Sequence, residues 1–152
     1  MTQNQSNNVE SISFNIYLAG FLDADGSIYV RAKPNSSYKY GYQVAPYVAF
    51  FQSASSEHFV SMVARIGYGS LRLRKDGIFE FTINKHADII DFITKISPYL
   101  LLKQEQAKLM LEILALKAEV SCEKDFANLL EKIDMFRELN YSKKRKKRTL
   151  TP

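Results

Sequence analysis

The spacing of apolar residues changes period once near the start of this chain, and that change narrows the folds open to it. From Ile12 to Ala24 apolar side chains recur at helical spacing, with Ser11 as a candidate N-cap and Gly26 just past the end. From Ser27 to Lys33 the period drops to two, and Ile28, Val30 and Ala32 alternate with Tyr29, Arg31 and Lys33. That is the pattern of a half-buried strand with a basic polar face. The loop PNSSYKYGY, residues 34–42, is rich in turn formers and leads to a second strand, about Gln43 to Gln52, where Pro46 predicts an edge position or a bulge. Ser55 or Ser56 can cap a helix that ends at Ile66 before Gly67, and two short strands, 71–75 and 78–84, are joined across Asp76-Gly77 as a tight hairpin. Helices are then predicted from Asn84 to Ser97, from Lys103 to Lys117 and from Glu123 to Asn140. No β-α-β crossover is implied. The expectation is an α+β chain of αββαββα order with further C-terminal helices, its four-stranded antiparallel sheet covered by helices on one face and open on the other.

The chain has 152 residues, 46% of them hydrophobic, enough for one packed domain. Its single cysteine, Cys122, cannot form an internal disulfide, and with only His58 and His86 beside it there are too few ligands for a zinc site within one chain. No apolar run approaches the roughly 18 residues that would span a bilayer, and the start MTQNQSNNVE lacks the regions of a secretory signal. The expectation is a soluble intracellular protein with no membrane partner. It divides into a flexible N-terminus at 1–10, one domain at 11–141 and a basic tail at 142–152.

The net charge of +5 is unevenly distributed. Residues 143–148, KKRKKR, carry six positive charges, and outside them 15 basic residues face 16 acidic ones. From Ser27 to Lys85 there are 8 Lys or Arg against 3 acids, whereas His86 to Ser142 holds 7 against 10. Localised positive charge of this kind fits a polyanion partner. The open sheet face would display Tyr29, Arg31, Lys33, Gln43, Tyr47, Arg72, Arg74, Glu80 and Thr82. One basic strand alone is most simply a solvated face, but four strands share the bias. A strand of about seven residues spans roughly 23 Å, comparable to about seven base-pair steps, so two hairpins could follow a major groove. The KKRKKR tail is a nuclear import signal, a phosphate-binding arm, or a solvated end that adds nonspecific affinity. His58 and His86 are ordinary residues at helix starts, and Leu109, Met110, Ile113, Leu114 and Leu116 are packing rather than a ligand pocket.

Two local conflicts lie in LAGFLDADG, residues 18–26. Gly20 inside a helix costs about 1 kcal/mol relative to alanine. Ile12, Ile16, Gly20 and Ala24 form one stripe, so the small residues leave a groove for the protein's own sheet or for a second copy's helix across a two-fold axis. Asp23 and Asp25 sit at the negative end of the helix macrodipole, which disfavours each by about 0.3 to 1 kcal/mol, a penalty that a bound divalent cation reverses. An EF-hand is excluded, because loop positions one and twelve fall on Phe21 and Ala32. One available carboxylate in a basic surface suits magnesium that borrows its remaining ligands from phosphate.

LAGFLDADG resembles the nine-residue signature of the LAGLIDADG homing endonucleases, and the likeness extends to the YLAGF and DGS flanks, the KPNSSYK loop, Gln52 and LKQEQA at 102–107. It covers roughly residues 12–118 and is close to the single-motif, homodimeric branch. The resemblance implies a four-stranded antiparallel saddle sheet and a homodimer interface through Ile12, Ile16, Gly20, Phe21 and Ala24. It also implies a metal site at Asp25 with the Ala24 carbonyl, Asp23 being structural. Asp25, Gln52 and Lys103 are the implied catalytic set, with Gln52 ordering water and Lys103 offsetting charge at the scissile phosphates. The implied DNA-contacting residues are Tyr29, Arg31, Lys33, Asn35, Ser37, Tyr38, Lys39, Gln43, Tyr47, Arg72, Arg74, Lys75, Glu80 and Thr82.

The activity so implied is hydrolysis of both strands of a long, nearly palindromic double-stranded DNA site across the minor groove, leaving short 3′ overhangs. Mg2+ would be the cofactor, Mn2+ would substitute for it, and Ca2+ would bind without supporting cleavage. An organellar setting, chloroplast or mitochondrion, is implied by the resemblance alone. Two departures stand out. The family has a basic residue four positions after the glutamine, where this chain has Ser56, and the 69–77 stretch is one residue longer. They leave room for the alternative, a DNA- or RNA-binding module of the same fold, such as an intron maturase binding intron RNA, or a regulator.

Overall fold

The computed structural model describes residues 3–140. Helix α1 spans Gln3–Asp25, so it begins eight residues before the expected cap at Ser11, and positions 3–10 are helical. The polar QNQSNN stretch has no apolar spacing to announce a helix, but it contains no Gly or Pro to stop one either. At its other end the Gly26 N–H donates to the Leu22 carbonyl at 3.0 Å. A Cβ at Gly26 would lie 2.3 Å from the Leu22 side chain, so the turn into the sheet requires glycine.

Strands β1 (Ser27–Pro34), β2 (Tyr42–Ser53), β3 (Ser70–Leu73) and β4 (Ile78–Ile83) form one antiparallel sheet in the order β1-β2-β4-β3. Pro46 lies in β2, a central strand. However, β4 pairs only with Val48 to Ser53, so at Pro46 β2 has a neighbour on one side alone and the missing N–H breaks no ladder bond. The β3–β4 hairpin is one residue longer than the expected tight turn. Its Gly77 N–H donates to the Arg74 carbonyl, the Arg74 N–H to the Ile78 carbonyl, and Gly77 takes the left-handed conformation at φ 78°. Gly69 is also obligatory, since its φ is +97° and a Cβ there would be 2.4 Å from the Phe81 ring.

The helices are α2 (Glu57–Ala64), α3 (His86–Ile96), α4 (Gln104–Glu119), α5 (Glu123–Asp134) and α6 (Phe136–Leu139), with a 3-10 turn at Ser97–Tyr99. Helix α3 starts after Lys85 rather than Asn84, and the expected single C-terminal helix is split at Met135. The core joins Leu18, Ala19 and Leu22 of α1 to the inner sheet face, including Val30, Phe50 and Ile83, and to Ile89, Ile93, Met110 and Ile113 of α3 and α4. Leu109 and Leu114 are buried with them, while Leu116 stays partly exposed. The β1 edge is closed by the C-terminal helices: the Asn140 side-chain amide donates to the Ile28 carbonyl at 3.4 Å, and the buried Gln106 donates to the Leu139 carbonyl at 3.2 Å. No helix among the described residues is long and apolar enough to cross a membrane. The basic tail lies outside the described residues.

Candidate metal centre and nucleic-acid interface

The two aspartates at the end of α1 are used differently. The Asp23 carboxylate accepts the Leu101 N–H at 2.8 Å and the Lys103 N–H at 3.0 Å, and its backbone carbonyl accepts the Lys103 ammonium at 2.8 Å. Asp23 therefore ties the end of α1 to the start of α4, and Lys103 neutralises the negative end of the α1 dipole. Asp25, one step past Ala24, is exposed and its carboxylate makes no hydrogen bond or ion pair within the described residues. Among those residues no three His, Cys, Asp or Glu side chains cluster as a metal site. A hard divalent cation here would have one carboxylate and helix-end carbonyls from one chain, all oxygen donors, and would need the rest from elsewhere. Gln52 lies at the end of β2, half-buried, its Oε1 accepting the Ser53 N–H at 2.9 Å. It lines a groove of about 980 Å3 between α1 and α2 together with Tyr17, Phe21 and Ser56.

Cross-strand partners point to the same side of a sheet, so the register defines the open face. Lys33 pairs with Gln43, Arg31 with Ala45, Tyr29 with Tyr47, Ala49 with Thr82, and Arg72 with Glu80. Arg31 and Lys33 are exposed, and the Arg31 guanidinium lies 5.8 Å from the Tyr47 ring centroid. Arg72 is ion-paired with Glu80 directly across the hairpin, and Arg74 with Asp76 in the turn, beside exposed Lys75. Asn35, Ser37, Tyr38 and Lys39 occupy the β1–β2 loop, and Tyr38 is 46% exposed.

Tyr29 does not belong to this exposed set. It has the parity of the open face but is only 5% exposed, packed edge-on against Tyr47 and Phe136 with centroids 5.8 and 5.7 Å away. The cause is α6, which carries Phe136 over the β1 edge.

On α1, Ile12, Ile16, Gly20 and Ala24 are exposed along one stripe. A Cβ at Gly20 would meet no atom within 4 Å, so packing within this chain does not call for glycine there. Phe21, the remaining residue of the expected interface, is tied partly to its own chain. At about 100° further round the helix it is half-buried against Phe50 and Phe59, with centroids at 5.4 and 6.2 Å. Val9, Ser13 and Tyr17 line the groove beside this face together with Phe21, and only Val9 lies in the stretch where apolar spacing predicts no helix.

A family model described as LAGLIDADG endonuclease matches residues 18–105, from the second half of α1 into α4. The chain belongs to this family. It is 35% identical over 135 residues to the DNA endonuclease I-CreI of Chlamydomonas reinhardtii, covering 88% of this chain and 82% of that protein. It is 38% identical over 100 residues to the DNA endonuclease I-CvuI of Chlorella vulgaris, 64% of this chain and 62% of that one. Both relatives come from algae. The solved structure of the homing endonuclease I-CvuI in complex with its target in the presence of Ca superposes with a TM-score of 0.79 at 30% identity, covering 93% of this chain and 88% of that chain. The same enzyme with the I-CreI target and Mg, the DNA not cleaved, gives 0.74 at 30% identity over 92% and 88%. As a LAGLIDADG endonuclease the chain has the expected antiparallel sheet backed by helices. At the position of the absent basic residue, half-buried Ser56 instead donates its N–H to the Ser53 carbonyl at 3.0 Å.

Proposed function

We propose that this chain is a site-specific double-strand DNA endonuclease that acts as a homodimer on a long, nearly palindromic target and leaves short 3′ overhangs. The observation that carries the reading is the division of labour at the end of α1: Asp23 is consumed by the fold and Asp25 is not. A carboxylate held at the negative end of a helix without a partner is suited to a hard cation. The named activities of the relatives support the reaction class, and their structures with Ca or Mg on target DNA support the choice of Mg2+.

Asp25 and the Ala24 carbonyl from each copy would hold the ion, which when bound supplies Lewis acidity for phosphodiester hydrolysis. The chain's own groups do the rest. Lys103 adds positive charge beside the developing phosphorane charge, and Gln52 orients water through its amide. Arg31, Lys33, Asn35, Ser37, Tyr38, Lys39, Gln43, Tyr47, Arg72, Arg74, Lys75, Glu80 and Thr82 meet the DNA, so affinity falls steeply with salt. The bare backbone at Gly20 supports the two-fold packing of α1, with Ile12, Ile16, Ala24, Val9, Ser13, Tyr17 and the exposed part of Phe21 around it. The algal relatives favour an organellar setting.

The protein is tested on a library of duplex sites with Mg2+, Mn2+, Ca2+ or EDTA. Cleavage of both strands is expected with Mg2+ and Mn2+, binding alone with Ca2+, and neither strand cut with EDTA. Site-specific binding with no cleavage under any metal would replace this reading with the binding module, which the neutral Ser56 favours.

A further inference from the structure

The β1–β2 loop is a closed unit. The Asn35 side-chain oxygen accepts the Ser37 N–H at 3.0 Å and its hydroxyl at 2.6 Å. The Asn35 N–H donates to the Gly41 carbonyl at 2.8 Å, and the Gly41 N–H donates to the Tyr38 carbonyl at 2.9 Å, with Gly41 in the left-handed region at φ 79°. Hydrogen bonds this exposed open readily to water, so the unit stays closed only with an apolar attachment. That attachment is Tyr40. While residues 36–39 are exposed, Tyr40 turns onto Phe126 of α5, with ring centroids 4.9 Å apart and planes 21° from parallel. Tyr42 adds a contact to the same ring at 6.4 Å. Phe126 is itself 6% exposed, so the platform is part of the core. The Tyr40 hydroxyl is buried with no hydrogen-bond partner among the described residues. An unpaired buried hydroxyl opposes this pose, so the ring contacts and not the polar end hold it.

We propose that the Tyr40–Phe126 stack is a positioning device for DNA recognition: α5, which carries no candidate DNA-contacting residue, sets the pose of the loop and thereby the base preference at the outer end of each half-site. The inference rests on the DNA-binding reading above and names a determinant that reading does not contain. The eight residues of β1 separate the loop from the end of α1, about 25 Å at 3.3 Å per residue, so the effect is local to the outer positions. A loop already fixed in its bound pose loses little freedom on binding, whereas a loosened one tolerates more sequences. Tyr40 and Phe126 are positioning residues; Ser37, Tyr38 and Lys39 make the contacts.

Full-length wild type, Phe126→Leu, Tyr40→Leu and Tyr40→Phe are compared by two measurements. Hydrogen exchange needs no DNA: both leucine variants should speed exchange at Tyr38 and Gly41 by roughly tenfold, with the β2 amides unchanged, and Tyr40→Phe, freed of the unpaired hydroxyl, should exchange no faster than wild type. In selection from a randomised duplex library with Ca2+, both leucine variants should lose preference at the outer positions and keep it at the centre, while Tyr40→Phe keeps both. Cleavage rate at saturating protein should stay within about twofold of wild type.

Retained outer preference, or a uniform loss that tracks a fall in melting temperature, overturns the proposal. If Phe126→Leu does not fold, Tyr40→Leu decides both measurements. A wild type that selects no duplex sinks the proposed function instead, and the exchange comparison still decides whether the stack holds the loop.

Discussion

Replacing Asp23 and replacing Asp25 should move stability in opposite directions, although the two residues share one turn. In Asp23→Ala two backbone N–H groups lose a charged acceptor. A hydrogen bond to a charged group contributes about 1.5 to 3 kcal/mol where it is sheltered. The Lys103 amide is partly buried and takes the lower value. The Leu101 amide is exposed, turns to water and loses roughly a third of that, which brings the total to about 2 kcal/mol. In Asp25→Asn no bond is lost, and a charge leaves the unfavourable end of the α1 dipole. That is worth about 0.3 to 1 kcal/mol, and the lower figure applies because the Lys103 ammonium already offsets the field at the Asp23 carbonyl.

The assay is urea unfolding followed by far-UV circular dichroism, since the chain has no Trp, at one protein concentration because dimer stability depends on it. With a slope near 2 kcal/mol per molar urea, the midpoint of Asp23→Ala should fall by about 1 M and that of Asp25→Asn should hold or rise slightly. Cleavage should vanish in Asp25→Asn and weaken in Asp23→Ala, where Lys103 loses its anchor. If Asp25→Asn lowers the midpoint as far as Asp23→Ala does, or still cuts DNA, the division of roles at this helix end is wrong.

Gly20→Leu should leave the circular dichroism spectrum of the chain unchanged, because the space around Gly20 is empty within one copy. Sedimentation should find it monomeric, and a persisting dimer would put the interface elsewhere. His86 should make stability fall as pH drops below about 6.5. Its pKa is lowered by burial and by the neighbouring Lys117 ammonium, so between the lowered value and 6.5 the unfolded chain binds a proton that the folded chain refuses. Stability is therefore fully present above that window and lost within it. His86→Gln should flatten urea midpoints measured from about pH 7.5 down to about pH 5, and an unchanged slope would remove His86 as the source.

Strand parity was legible because alternation is local: Ile28, Val30 and Ala32 did face the core, and Arg31 and Lys33 did not. Tyr29 shows where parity stops. It tells which side of a sheet a residue takes, but a helix more than a hundred residues away decides whether that side is covered. Asp23 shows the same from the side of chemistry, since its partners lie 78 and 80 residues along the chain and the DAD spacing alone could not divide the two acids. The N-terminal turns of α1 were hidden for another reason. A polar, fully exposed helix has no apolar period, and its only sequence sign is the lack of a breaker.

Gly20 and Asp25 are five residues apart on α1, about 7.5 Å along its axis. The proposed point of approach between two copies and the proposed ion ligand are thus rungs of one rigid rod. A single chain offers one unpaired carboxylate there and no cluster of three metal ligands among its described residues, fewer than a hard divalent cation takes from protein and phosphate together. Each sheet likewise carries only one set of the side chains proposed to face bases, enough for half of a palindromic site. Under the proposed function recognition and chemistry are therefore incomplete in the same unit and completed by the same contact. On that proposal a chain that has read half a target holds half a metal site, and the small-residue stripe of α1 would make cutting conditional on the second half being read.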